Sequence, residues 1–134
     1  MSTDICPPYD QYQTRAKEFR QAYQLTSVLT ESTLRLQQNL IDEEHLEVVE
    51  AHADLLDDIT NKRAREHLLK ELADLVYVCH QMAAAFDWDL GEAYRRVHAS
   101  NMSKLDKDGN PIRREDGKIL KGPRYFEPTL IDLV

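Results

Sequence analysis

Glycine is scarce in this chain. Only four occur in 134 residues, and three of them fall in the last 34. That distribution predicts long helices followed by a turn-rich tail. Cysteine is equally sparse. Cys6 lies in a Pro-rich N-terminal stretch and Cys79 in an apolar helical run, and no CxxC spacing exists to support a zinc site. Both are expected to be reduced thiols in a cytoplasmic protein. The N-terminus lacks a basic-then-apolar signal pattern, and no apolar run approaches the ~20 residues of a membrane span. A membrane protein is therefore not expected.

Basic excess is also missing. The formal net charge is −7, and residues 1–100 carry 10 Lys+Arg against 18 Asp+Glu. Residues 101–134 carry 7 against 6. An acidic body disfavours duplex nucleic acid as a partner, because no basic face offsets the phosphate charge. It suits a body that attracts cations, joined to a tail able to hold an anion. A chain of this length is the size of one typical domain and can bury a core without staples.

Helical spacing of Tyr12, Ala16, Phe19 and Tyr23, with no Gly or Pro from about Tyr9 to Leu29, predicts a first helix after an irregular lead-in over Met1–Pro8. A second runs from about Glu31 to Asp58, capped by Thr30 or Ser32. A break near Thr60-Asn61-Lys62 precedes a third, about Ala64 to Phe86. Asp87-Trp88-Asp89 reads as a loop and cap before a fourth, Leu90 to about Met102. Asp108-Gly109, Asp116-Gly117 and Gly122-Pro123 then mark turns, with room for a short hairpin. The expected fold is all-α: one domain over 1–134, a bundle of about four helices over 9–103, and an irregular tail over 104–134.

One line along the second helix carries the chemistry. Leu36, Leu40, Glu43, Glu47, Glu50 and Asp54 are spaced 4, 3, 4, 3, 4, the pattern of a seam facing a partner helix. It starts apolar and turns acidic. Glu44 sits about 100° from Glu43 around the axis but one turn from Glu47. The third helix has a matching line at His67, Glu71, Asp74 and Val78. Converging carboxylates repel one another unless they protonate, pair with cations or bind a divalent metal. Oxygen-only donor sets suit Mg²⁺ or Mn²⁺, and bound Mg²⁺ typically serves phosphate-bearing substrates.

Two other classes compete. Di-iron carboxylate bundles carry Glu-x-x-His on two helices. No ExxH occurs here: the residues three before His45, His52, His67, His80 and His98 are Asp42, Val49, Ala64, Tyr77 and Arg95. A non-enzymatic helical binding or regulatory module with a solvated acidic face is the other alternative. Against it, the acids continue an apolar seam, and a second acid pair appears on the next helix.

Glu43-Glu44-His45-Leu46-Glu47 followed by Glu71-Leu72-Ala73-Asp74 resembles the EExxE…ExxD pattern of the MazG-like nucleoside triphosphate pyrophosphohydrolases, an all-α superfamily shared with dimeric dUTPases and phosphoribosyl-ATP pyrophosphatases. The likeness extends from about residue 15 to 128. Asn101-Met102-Ser103-Lys104-Leu105 and Asp116–Pro123 resemble the end of short, phage-type members. Many relatives have histidine after the first-helix phenylalanine, where this chain has Arg20.

The resemblance implies hydrolysis of an NTP or dNTP to the monophosphate and pyrophosphate. It implies Glu44, Glu47, Glu71 and Asp74 as ligands to two or more Mg²⁺ or Mn²⁺ ions, with Glu50 a further candidate. Glu43 is implied as an outer partner, and Glu43 or Glu47 as acceptor of the water proton. Asn101, Lys104, Lys118 and Lys121 would contact phosphate or sugar. The short phage-type likeness leans towards purine deoxynucleotides, dGTP or dATP. Relatives are dimers or tetramers, often with residues of neighbouring subunits completing each site.

Overall fold

A computed structural model of the chain describes residues 8–25 and 28–134, with side chains from Gln11 onward. The expected lead-in before Pro8, and Cys6 with it, lies outside the described residues. The fold is all-α, as expected. Helices α1 (Pro8–Ala22), α2 (Glu31–Asp57), α3 (Lys62–Ala85) and α4 (Leu90–Met102) are followed by a 3₁₀ turn, Ile131–Leu133. The chain divides between Trp88 and Asp89 into two compact units.

In the first unit, α2 and α3 pack against each other and α1 packs against α3. Proline opens α1, where its missing N–H costs no helical bond. The helix is shorter than expected. It ends with Leu25 N donating to Arg20 O (2.9 Å) and Gln24 N to Gln21 O (3.2 Å), while Gln24 adopts φ +54°. This Schellman closure stops the helix without a glycine. Thr30, not Ser32, caps α2. Its Oγ1 accepts from Thr33 N (3.1 Å) and Thr33 Oγ1 accepts from Thr30 N (2.9 Å), a capping box built from two threonines. Asn61 caps α3 through Ala64 N at 3.1 Å. At the other end of α3, Trp88 N reaches Ala83 O (2.8 Å) around Asp87 at φ +58°.

The packed stripe of α2 lies one residue later than the sequence seam. Thr33, Gln37, Ile41, Glu44, Val48, Ala51 and Leu55 are sheltered, as is Leu40 of the expected seam, whereas Leu36, Glu43, Glu47, Glu50 and Asp54 are exposed. The two stripes differ by about 100°. The later one brings aliphatic Ile41, Val48 and Leu55 and the small Ala51 to α3, so it removes more apolar surface from water than a line of four acids. Ala51 is wholly buried. The rest of the buried apolar set is also small: Ala16, Ala83, Ala84 and Ala85, with Phe86. Large aliphatics on the other side of α3, Leu69, Leu72 and Val76, remain exposed.

In the second unit, Asp89 caps α4 through Glu92 N at 2.9 Å. Ser100 Oγ donates to Phe126 O (2.7 Å), and Ser103 Oγ accepts from Phe126 N (3.2 Å), tying the tail to this helix. Gly122 runs so close that a Cβ there would stand 2.4 Å from Leu105 O. The expected hairpin reduces to one antiparallel bridge, Arg113 to Ile119, around Asp116-Gly117. Among the described residues, no helix is long and apolar enough to cross a membrane.

Candidate metal centre

Glu44 and Glu47 are one turn apart on α2, and Glu71 and Asp74 one turn apart on α3. Packing of the two helices brings one carboxylate oxygen of each to within 4.8 Å of all the others. Glu71 is the anchor at 3% exposure; Glu44 and Asp74 are half-buried, and Glu47 reaches in from an exposed position. Glu43 and Glu50 are exposed and outside this group.

Charge on these acids is partly neutralised on one side. His67 Nε2 lies 3.1 Å from Glu71 Oε1, and Lys70 Nζ lies 3.2 Å from the same oxygen and 2.7 Å from Asp74 Oδ2. Burial alone would raise the pKa of Glu71. Hydrogen bonds from Lys70 and Glu47, with the charges of Lys70 and His67, outweigh it and hold the group ionised below its usual value. The same two acids hold the Lys70 ammonium well above its ordinary range, through hydrogen bonds to Asp74 and Glu71.

Two carboxylate oxygens of the cluster are left unserved among the described residues. Glu44 Oε2 and Glu71 Oε2 are buried with no N–H or hydroxyl donor to serve them. The Glu47 carboxyl can serve them only when it carries a proton. Its pKa is accordingly pushed up to about 7, by hydrogen bonding to Glu71 and Glu44 and by repulsion from their charges. Buried acceptors without donors, in an all-oxygen set, fit a hard divalent cation.

Lys70 is the residue that motif reading passed over. Its signal was the i, i+4 spacing to Asp74, shared by His67 and Glu71. The tail residues named from sequence all lie in the second unit. Asn101 is exposed near the end of α4, and Lys104 follows, half-buried, its N–H donating to Asn101 O at 3.3 Å. Lys118 is exposed, its N–H donating to Asp116 Oδ1 at 3.2 Å. Lys121 Nζ stands 4.7 Å above the Tyr125 ring. Of the histidines, His80 bonds Gln13 (Nδ1 to Oε1, 2.9 Å) and packs near the Tyr12 ring. Cys79 is a free thiol whose pKa burial raises.

Four oxygen donors on two packed helices define a class: helical carboxylate proteins suited to handling phosphates through divalent cations. The chain belongs to the phosphoribosyl-ATP pyrophosphohydrolase family, whose model matches residues 12–101, about two-thirds of the length. This family is part of the all-α superfamily that the acidic motifs resembled. The match contains all four clustered acids and Asn101, and ends before Lys104, Lys118 and Lys121. No curated protein matches the chain.

Proposed function

We propose that the protein is an Mg²⁺- or Mn²⁺-dependent pyrophosphohydrolase that releases pyrophosphate from a purine nucleoside triphosphate, leaving the monophosphate. The convergence of Glu44, Glu47, Glu71 and Asp74, with two buried oxygens lacking donors, carries this reading. These four residues would hold the metal. When bound, a divalent ion supplies polarisation of phosphoryl oxygens and acidification of water.

The protein's own groups do the rest. Glu71, buried and held by His67 and Lys70, fixes the position of the donor set. Glu43 or Glu47 accepts the proton of the attacking water. We assign contacts with phosphate or sugar to Asn101, Lys104, Lys118 and Lys121, the lysines as cations and Asn101 as a neutral donor. Glu50, exposed one turn on from Glu47 and outside the converging four, would serve only a further ion.

Two lines support a purine. The short phage-type motifs lean to dGTP or dATP, and the family's name specifies phosphoribosyl-ATP, itself a purine triphosphate. Hydrolysis of the anhydride between the α and β phosphates gives the same products in every case: a monophosphate and pyrophosphate. The exposed apolar face of α3 supports a homo-oligomer, a dimer or tetramer.

Pyrophosphate release from each dNTP, each NTP and phosphoribosyl-ATP, with Mg²⁺ and with Mn²⁺, tests this. Turnover of a purine triphosphate, lost with EDTA, is expected. Absence of turnover on the whole panel would return the chain to the class of helical binding modules.

A further inference from the structure

We infer that Lys70 is a resident counter-cation of the metal centre, occupying the acids until a divalent ion displaces it and so setting the metal concentration at which the protein loads. The inference rests on the reading of the cluster as a cation site.

Three observations carry it. First, Lys70 Nζ bridges one ligand from each turn of α3, at 3.2 Å from Glu71 Oε1 and 2.7 Å from Asp74 Oδ2. A +1 charge already shared between two of the four donor residues competes with any incoming cation for the same carboxylates. It serves only those two. The orphaned oxygens of Glu44 and Glu71 stay without a donor, so the bridge leaves the site poised and not satisfied.

Second, Lys70 is free to leave. Its side chain is 62% exposed, while Glu71 beneath it is 4% exposed. A flexible four-carbon stem lets the ammonium swing away without backbone movement. Third, there is somewhere for it to go. An open concavity of about 570 Å³ adjoins it, lined by Arg63, Glu66, His67 and Lys70 itself. Glu66 precedes Lys70 by four residues, the favourable helical order for a Glu–Lys pair. The ammonium thus has two alternative carboxylate berths, one on the ligands and one a turn earlier.

Side-chain chemistry suits a lysine to this role better than an arginine. A compact ammonium on a flexible stem exchanges readily, whereas a planar guanidinium would lock a carboxylate in a bidentate fork.

Titration calorimetry with Mn²⁺ alone, at low ionic strength and without nucleotide, tests the inference on Lys70→Met and Lys70→Arg. Circular dichroism checks that each variant is folded. The expected result is Mn²⁺ binding roughly five- to tenfold tighter in Lys70→Met, the scale of losing two ion contacts made by an exposed ammonium. Its metal-free melting temperature should fall, and Lys70→Arg should bind Mn²⁺ no tighter than the parent. A dissociation constant for Lys70→Met within twofold of the parent, or weaker, overturns the counter-cation role, as does equal tightening in Lys70→Arg. If the parent itself takes up no Mn²⁺, the metal-centre reading fails, and the Lys70 inference falls with it. Mn²⁺ uptake by the parent, with no change in Lys70→Met, leaves that reading standing and rejects the counter-cation alone.

Discussion

Glu43 and Glu47 are both exposed residues of one helix, yet only Glu47 reaches the other acids. The difference is rotational, and it separates their roles. Glu47→Gln should weaken Mn²⁺ uptake and lower kcat by roughly a hundredfold or more. Glu43→Gln should leave Mn²⁺ uptake intact while lowering kcat. Calorimetry and steady-state rates on the two variants check this, and parental turnover in Glu43→Gln would place that residue on the solvated surface. A second single-residue test concerns the backbone. Asp87 holds φ +58° at the end of α3, where a side chain is strained. Asp87→Gly should therefore raise stability by about 1 kcal/mol in chemical denaturation. A loss instead would mean that the Asp87 side chain contributes more than its strain costs.

At the level of elements, the last turn of the chain is tied to α4 by charge. Arg96 donates to Asp132 (2.6 and 2.9 Å), to Glu92 (3.0 Å) and to Thr129 O (2.9 Å). Hydrogen bonds from Arg95 and Arg96 hold the Glu92 pKa down to about 2, and Arg96 lowers that of Asp132. A depressed carboxylate pKa means the folded state binds its proton less readily than the unfolded state. The stabilisation is complete above the ordinary value near 4.5 for Glu92 and is lost as pH falls towards about 2. Melting temperature measured between pH 6 and pH 3 should decline, and less steeply in Asp132→Asn. Equal slopes would remove this network from the acid sensitivity. Gly122 is the other constraint on the tail. Gly122→Ala places a methyl against the backbone of Lys104 and Leu105 and should destabilise the second unit, detected as a lower melting temperature.

At the scale of the molecule, the buried apolar set among the described residues is nearly all alanine, while Leu69, Leu72, Val76 and Tyr77 are 41–68% exposed on α3. A protein left in this state exposes an apolar face that a second copy can cover. Light scattering should report a dimer or tetramer, and Leu69→Glu with Val76→Glu should shift it towards monomer. A monomeric parent at micromolar concentration would refute the assembly. Metal acts at the same scale. A ligand held only by the folded state adds roughly 2.7 kcal/mol at a hundredfold excess over its Kd. Mn²⁺ should raise the melting temperature, and EDTA should reverse the gain.

Much of this was legible in the residues. The near absence of glycine before the tail, the caps at Thr30 and Asp89, and the acid pairs at one-turn spacing are local properties, so helix positions and the acids' shared faces follow from sequence alone. Which stripe of α2 meets α3 did not. Leu36–Asp54 and Gln37–Leu55 are both plausible seams one residue apart, and the choice depends on packing Ala51, Val48 and Leu55 against another helix. That choice half-buries Glu44 and leaves Glu43 outside. The engagement of Lys70 with Glu71 and Asp74 was likewise hidden. Its spacing is visible in the chain, but its weight depends on Glu71 being buried, and burial is a property of the packed pair of helices.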